Sequence, residues 1–458
     1  MSAARERLIR PPLALRRAFV WARWPQVGGV FLGAGFALMV AIGTLVLLTP
    51  AASVQDTSVA DAFFTTASAV TLTGLVVVDT QTHWTLLGEG AVLALIFAGG
   101  LVYLLGASVV LWLLGRRLGL RDPEMRRLYR GAPGAAELLG FARTVVVVAL
   151  AAQVLGTAAL FLALLGADVS VQRALWWAPF HAISAFNNAG FALSEGGYGA
   201  FADDLPVLVV TGVLSFLGGV GPIPIALVAA RRSFRRLPLD GRVVVLAMVA
   251  VIVVGAGALL ASEWTNDATL GAAPAWRRPF LAVFEVAMRT TGLTTLETAA
   301  LRDESKVLAT GLMSVGGAAG SVAGGVKVGV LAVLGAGLLA TLRGRERLTL
   351  LGRELSAEVF RQAFTITLFF GVAVTLLAVG MIATADVRAI DALFESVSAL
   401  SLSGWSAGLS EAAGTPERTL LLGAMVVGRF APLLLVLEMT RQRRQPPFVH
   451  PEDSIRFG

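Results

Sequence analysis

Four short segments carry the residues of chemical interest: Thr71-Leu72-Thr73-Gly74, Asn187-Asn188-Ala189-Gly190, Arg289-Thr290-Thr291-Gly292 and Ser401-Leu402-Ser403-Gly404. None contains a nucleophile beside a base. The chain has no cysteine, and its 3 histidines, His83, His181 and His450, are far apart, so disulfides and thiolate chemistry are excluded and no clustered metal centre is indicated. No phosphate-binding or dinucleotide fingerprint occurs. The chain therefore reads as a protein that is not an enzyme. What the segments share is a polar tip that ends in glycine and follows a short apolar run. Such a tip presents main-chain carbonyl oxygens, and its glycine allows backbone conformations that other residues resist. Carbonyl oxygens converging on one axis can replace the hydration shell of K+.

The tips belong to a repeat. "FTTASAVTLTG" (64–74), "FHAISAFNNAG" (180–190) and "FESVSALSLSG" (394–404) all read F-x3-S-A-x4-G, and "AVFEVAMRTTG" (282–292) keeps the Ala and the Gly at the same spacing. A bulky apolar residue follows each glycine: Leu75, Phe191, Leu293 and Trp405. Self-similarity at fixed placement marks a repeat architecture. The apolar run before each tip is about half of a ~20-residue bilayer span, so each is expected to be re-entrant. Non-helical backbone at membrane depth is tolerated only where it is packed in protein or lines a watery path. Four short helices would also aim the negative ends of their dipoles at the common axis.

The elements that must position the tips follow from hydropathy. The 458 residues are 56% hydrophobic and 15% charged, with mean hydropathy +0.77. Apolar stretches at 27–49, 88–114, 142–166, 205–230, 243–262, 307–340, 362–384 and 418–440 are long enough to span a bilayer. The fold expected is an all-α polytopic membrane protein, with four span–short helix–span repeats in pseudo-fourfold arrangement around one pore. A cytoplasmic basic segment, 1–26, precedes repeats at 27–130, 131–240, 241–345 and 346–440, and a cytoplasmic tail, 441–458, follows. Of the net charge of +7, the arginines cluster before the first span, as Arg16, Arg17 and Arg23, and after every second one, as Arg126, Arg127, Arg235, Arg236, Arg343, Arg345, Arg443 and Arg444. Acids such as Asp56, Asp61, Asp79, Glu89, Asp203 and Asp204 dominate the other side. That is the positive-inside pattern of a cell-membrane protein with both termini cytoplasmic. The positive charge is thus explained without nucleic acid, and the partner implied by composition is membrane lipid.

A second set of residues lies in the closing span of each repeat. Small-residue pairs recur as Gly99-Gly100, Gly218-Gly219, Gly316-Gly317 and Gly428-Arg429. "VGPIP" (220–224) must kink its helix. "GGAAGSVAGGVK" (316–327), with Gly316, Gly317, Gly320, Gly324 and Gly325, is too rich in glycine for a continuous helix and is expected to unwind in mid-membrane. For the isolated pairs, close helix packing is the better reading. Arg429 breaks the pattern of the pairs. A charge there should face a cavity or partner, halfway along its helix and below the tips, where it could hold loop carbonyls and oppose a passing cation. Lys327 is a second candidate. Arg289 should point away from the axis and pair with a carboxylate such as Glu285, and His181 should be packed. Trp84, Trp176, Trp177, Trp264 and Trp276 fit an outer aromatic belt.

"VTLTGLVVVDT" (70–80), "FNNAGF" (186–191), "RTTGLTT" (289–295), "GSVAGGVKV" (320–328) and "GRFAPLLL" (428–435) together resemble the Trk/Ktr superfamily of K+ transporters. The likeness covers about residues 28–440, and the Gly-Arg followed by Pro is more similar to the Ktr-type membrane subunit. The resemblance implies a K+-uptake subunit whose tips form the selectivity filter, with the glycine at Gly74 linked to K+ selectivity. It implies a gate made by the loop at 316–327 and Arg429. It further implies a homodimer docked on a cytosolic ring of nucleotide-binding regulatory subunits, with Na+ as an activator in many Ktr-type members. A Trk-type or ion-coupled symporter with the same pore remains the alternative. Trp405 in the fourth tip, and the missing Phe and Ser of the third repeat, depart from the pattern.

Overall fold

The computed structural model describes residues 25–117, 135–194, 196–231, 234, 237–345 and 347–439. The basic segment 1–24, the arginine-rich stretches at 121–130 and 235–236 and the tail from 441 lie outside the described residues.

The chain is all-α and polytopic, apart from one small hairpin. Four times a long helix is followed by a short one and then by a closing segment, which is one long helix in the first and last sets and is broken into two in the second and third. First come α1 (Pro25–Leu47), α2 (Val59–Thr71), α3 (Thr80–His83) and α4 (Leu86–Arg117). Then come α5 (Ala135–Gly166), α6 (Val171–Phe186), α7 (Leu205–Val220) and α8 (Pro222–Arg231). The third set is α9 (Leu239–Glu263), α10 (Arg278–Met288), α11 (Asp303–Ser314) and α12 (Val328–Leu342). A hairpin of β1 (Thr349–Leu350) and β2 (Arg353–Glu354) leads to α13 (Ala357–Thr384), α14 (Ala389–Ser401), α15 (Leu409–Ala412) and α16 (Thr415–Met439). Among the described residues, α4, α5, α9 and α13 are each long and apolar enough to cross a membrane, and α7 with α8 is long and apolar enough only as a pair, which is bent by 99°.

The short helices α2, α6, α10 and α14 start and stop for local reasons. Ser58 caps α2 by accepting the Asp61 N–H, and Ser170 caps α6 by accepting that of Arg173. Three of them end in a left-handed residue that is not glycine: Leu72 (φ 59°), Asn188 (φ 51°) and Leu402 (φ 58°). In each, the next amide reaches back to the last turn, as Thr73 N to Ser68 O, Ala189 N to Ser184 O and Ser403 N to Ser398 O, all at 2.9 Å. This closes the helix as a Schellman turn does, and the leucines and asparagine carry the left-handed strain. The third tip turns without a left-handed residue before Gly292; there Thr291 N bonds Met288 O at 2.8 Å.

The glycine pairs have two different roles. A methyl group at Gly99 would lie 2.4 Å from Val70 O, one at Gly218 1.8 Å from Phe186 O and one at Gly428 2.1 Å from Leu400 O. Val70, Phe186 and Leu400 each stand four residues before the tip glycine of their own repeat, so the long helix rests on the same point of the short helix three times. Glycine packs there, and the helix does not break: α4 and α16 run unbroken through Gly99-Gly100 and Gly428-Arg429. The packing role expected of the isolated pairs is the one observed, because glycine lets the helices approach while keeping its helical hydrogen bonds. The chain breaks after Val220, where Gly221 (φ 84°) precedes Pro222, and again in the third repeat. Trp84 also departs from the expected belt: it is buried, whereas Trp264 and Trp276 are exposed.

Replacing Gly218 by Ala should therefore lower the apparent Tm of the detergent-purified protein, since overpacking costs about 1–3 kcal/mol. Gly423→Ala, on the same type of helix with nothing within 4 Å of a new methyl, should leave the Tm unchanged or higher.

Candidate functional site

The four tips meet in one ring, and they do so in chain order. A methyl group on Gly74 would meet Ala189 O at 2.8 Å, one on Gly190 would meet Thr291 O at 2.3 Å, one on Gly292 would meet Ser403 O at 3.0 Å and one on Gly404 would meet Thr73 O at 2.4 Å. Each glycine thus abuts the carbonyl that precedes the next glycine, and the fourth closes on the first. All four glycines have φ between 84° and 87° or at 80°, a region costly for any side chain. The carbonyls of Thr73, Ala189, Thr291 and Ser403 are brought together by this packing.

Side chains hold the ring from behind. Leu75, Phe191, Leu293 and Trp405 are each at most 2% exposed. They anchor the tips in the apolar core, each contributing on the order of 2 kcal/mol of burial. Asn188 Oδ1 accepts from the hydroxyls of Ser215 (3.0 Å), Thr290 (2.9 Å) and Thr291 (2.9 Å), which ties the second tip to the third and to α7. Asn187 Nδ2 bonds Ile183 O at 2.9 Å, and its Oδ1 occupies the space that a methyl at Gly100 would take. The asparagine side chains therefore act as struts. In the first tip, Thr71 and Thr73 hydroxyls lie 2.7 Å apart, and Ser68 Oγ accepts the Gly74 N–H at 3.1 Å. Ser403 Oγ donates to Arg289 O and so ties the fourth tip to the third.

Residues 315–327, between α11 and α12, form no helix. The segment is knitted to its surroundings through backbone bonds: Gly316 N to Val326 O (2.9 Å), Val326 N to Ser314 O (2.9 Å), Ala318 N to Gly219 O (2.8 Å) and Val328 N to Gly317 O (3.0 Å). Gly324 leaves no room for a methyl against Ser401 O, at 1.9 Å, so the loop lies directly against the base of the fourth tip. Gly320 and Gly325 have φ of 80° and 70°.

Arg429 joins the loop to the ring. Its Nε donates to Thr71 O at 2.6 Å and its Nη1 to Val322 O at 2.9 Å. The guanidinium lies 4.3 Å from the centre of the Tyr103 ring, in cation–π contact, and Nη2 has no partner among the described residues. The buried charge is thus compensated by carbonyls and an aromatic face, with no carboxylate bonded to it among the described residues. Lys327 stands at the N-cap of α12, where the helix dipole disfavours a cation. Its Nζ donates to Ala323 O and also interacts with Tyr103. Tyr103 was missed in the sequence, although a hydroxyl in an otherwise apolar span, one of only 3 tyrosines in the chain, is a usable signal.

Arg289 requires a correction. It does not pair with Glu285. Its Nη1 donates to Val286 O at 3.0 Å and its Nε to Val315 O at 3.2 Å, so backbone at the start of the loop receives the charge. Glu285 is already occupied: Oε1 accepts the Thr295 N–H at 2.7 Å and the Thr295 hydroxyl at 2.6 Å, and Oε2 accepts the Thr294 hydroxyl at 2.6 Å. His181 is packed, fully buried, with Nε2 accepting the Leu193 N–H at 2.8 Å.

Of the outer acids, Asp79 caps α3 through Gln81 and Thr82 N–H groups, and Glu89 accepts the Trp176 indole N–H at 2.6 Å. Arg418 of α16 pairs with Asp61 of α2 at 2.6 Å, which locks the last repeat onto the first. Burial holds the nearby His83 imidazole below its usual range, against the opposing charge of Asp61.

Comparison with known proteins places the chain in a family. The family model of TrkH, described as a cation transport protein, matches residues 34–446. The chain is 28% identical over 442 residues to the Ktr system potassium uptake protein B of Bacillus subtilis, covering 96% of this chain and 98% of that protein. It is 29% identical over 426 residues to the protein of the same name in Vibrio alginolyticus, covering 92% and 93%. It is 27% identical over 447 residues to the potassium/sodium uptake protein NtpJ of Enterococcus hirae, covering 93% and 96%. In fold it is similar to the crystal structure of the potassium transporter TrkH from Vibrio parahaemolyticus, with a TM-score of 0.70 at 20% identity over 90% of this chain and 86% of that one. The chain belongs to the TrkH family of cation transport proteins.

Proposed function

We propose that this chain is the membrane-embedded pore subunit of a potassium-uptake system of the Ktr type. K+ passes through a selectivity filter formed by the tips at 71–74, 187–190, 289–292 and 401–404, one from each of the repeats 27–130, 131–240, 241–345 and 346–440. The observation that carries this reading is the cyclic contact of Gly74, Gly190, Gly292 and Gly404 with the carbonyls of the following tips. A ring of oxygens on a rigid backing can stand in for the water that K+ loses. The relatives named as potassium uptake proteins supply the ion.

The gate is the segment 316–327 together with Arg429 and Lys327. Arg429 bridges the first tip and the loop, so two positive charges lie beneath the filter, and a cation leaving it must pass them. Opening is a movement of the loop that releases the Val322 carbonyl. The inner helices around it are fixed on the short helices at Gly99, Gly218 and Gly428, which leaves the loop as the movable part. The pore works as a homodimer in the cell membrane, termini cytoplasmic, and its basic inner segments dock a cytosolic nucleotide-binding ring subunit. Na+ acts as activator or co-ion, a role favoured by the name of the NtpJ relative. A second reading, an ion-coupled symporter, uses the same pore. It is less favoured because the repeats have one orientation, whereas broken-helix symporters commonly use inverted ones.

Proteoliposomes with the purified protein should take up Rb+ down its gradient without an obligatory coupled substrate; strict stoichiometric coupling would establish the symporter. Gly74→Ser should weaken K+ over Na+ discrimination by about tenfold, from the strain of a side chain at positive φ. Arg429→Ala should raise uptake on the order of tenfold, because removing one poorly solvated charge lowers the barrier for a cation. An unchanged rate removes Arg429 from the gate.

A further inference from the structure

In three repeats, one backbone amide beyond the tip is held in the same way by different chemistry. It is the N–H of the third residue after the glycine. Leu193 donates to His181 Nε2 at 2.8 Å, Thr295 to Glu285 Oε1 at 2.7 Å and Ala407 to Glu395 Oε1 at 3.0 Å. His181, Glu285 and Glu395 sit on α6, α10 and α14, and each is 0% exposed. His181 and Glu395 stand nine residues before their glycine (190 − 181; 404 − 395), and Glu285 stands seven before its own (292 − 285). The acceptor is thus regenerated from another helix position in the third repeat, where the short helix meets its tip through a different turn.

The carboxylates bind more of the same limb. Glu285 also receives the hydroxyls of Thr294 and Thr295, and Glu395 receives the Leu409 N–H at 3.1 Å and the Ser406 hydroxyl. The first repeat lacks this bond. Its equivalent residue, Thr65, nine before Gly74, has a buried hydroxyl with no partner, and its tip is held on the near side by Ser68 Oγ on Gly74 N–H. Burying a carboxylate is costly unless it is well bonded. Two of them behind the ring, together with a histidine making the same bond, mark a shared function of the position.

We propose that His181, Glu285 and Glu395 are positioning residues that set the discrimination between K+ and Na+. The reading rests on the filter proposed above. Each braces the chain where it leaves the tip, so the ring carbonyl between the short helix and the brace is held at both ends and cannot tilt inward onto a smaller cation. Carbonyl filters choose among alkali ions by the number and placement of their oxygens, and a limb held at one end only would adapt to either ion. The ring then has three limbs held from beyond the tip and one, the first, held from its near side alone.

The test is the K+/Na+ permeability ratio of the full-length protein in liposomes, measured together with total Rb+ flux. Glu285→Asp and Glu395→Asp keep the charge but withdraw the oxygens by one methylene. Each should reduce the ratio by about tenfold, as expected for one lost buried hydrogen bond, while flux persists. Glu285→Gln and Glu395→Gln retain a carbonyl acceptor and should stay near the wild-type ratio. Thr65→Val removes a hydroxyl that braces nothing and should not change it. If the aspartate variants do not fold, His181→Phe removes the acceptor while keeping a planar ring, and should lower the ratio in the same way. A wild-type ratio in the aspartate variants, or in His181→Phe where that variant stands in for them, overturns the proposal. So does a fall in the glutamine variants or in Thr65→Val as large as that in the aspartates. If the wild-type protein itself does not discriminate K+ from Na+, the filter reading fails and the braces with it. A selective wild type with indifferent brace variants removes the braces alone.

Discussion

The whole arrangement depends on one constraint: main-chain amides and carbonyls that leave helical geometry inside a membrane protein must be held by the protein itself. Four tips, the bend at Gly221 and one thirteen-residue loop (315–327) break that geometry here. Each break is enclosed by partners of a particular kind. Behind the tips these are hydroxyls, asparagines, a histidine and two carboxylates. Around the loop they are backbone groups of Gly219 and Ser314 and the guanidiniums of Arg289 and Arg429. Within the ring, each tip glycine abuts the carbonyl that precedes the next one, and no side chain intervenes there.

The same constraint explains the placement of charge. A buried cation without a counter-ion is unfavourable unless oxygens or an aromatic face replace its water. Arg289 and Arg429 both donate to carbonyls that a regular helix would have satisfied internally. Unwound backbone and buried arginine therefore stabilise each other: the loop provides free acceptors, and the arginines use them. Carboxylate partners would have neutralised the charge, and the barrier that the proposed gate needs would have been lost with it. Tyr103 lies against Arg429 and also interacts with Lys327, so one ring serves both cations.

The third repeat diverges in a consistent way. Its short helix lacks the Phe and Ser of the others, its tip turns without a left-handed residue before the glycine, its brace comes from a different position, and its closing span is split. The other three closing helices rest a glycine on the carbonyl four residues before the tip glycine. In the third, Gly316 instead packs against Gly324 O, within its own loop. The third closing span is the one without that seat, and its unwound segment packs against the fourth tip at Gly324.

Much of this was open to reading from the sequence by itself. Length and hydropathy settle the all-α membrane class, because an apolar run of bilayer length has no other stable use for its backbone. The spacing A-x4-G beside long apolar runs, with Ser before the Ala in three of the four copies, picks out the tips, and Gly-Pro after Val220 identifies the bend, because these are local rules of backbone geometry. The partners of the polar residues were decided only by the tertiary structure. Glu285 stands four residues from Arg289, the spacing of a helical ion pair, yet the helix ends at Met288 and each turns to backbone elsewhere, Glu285 to Thr295 and Arg289 to Val315. Thr71 and Arg429 are 358 residues apart, and no periodicity links them. Hydrogen bonds across a ring depend on how four separate segments close around one axis, and that closure exists only in three dimensions.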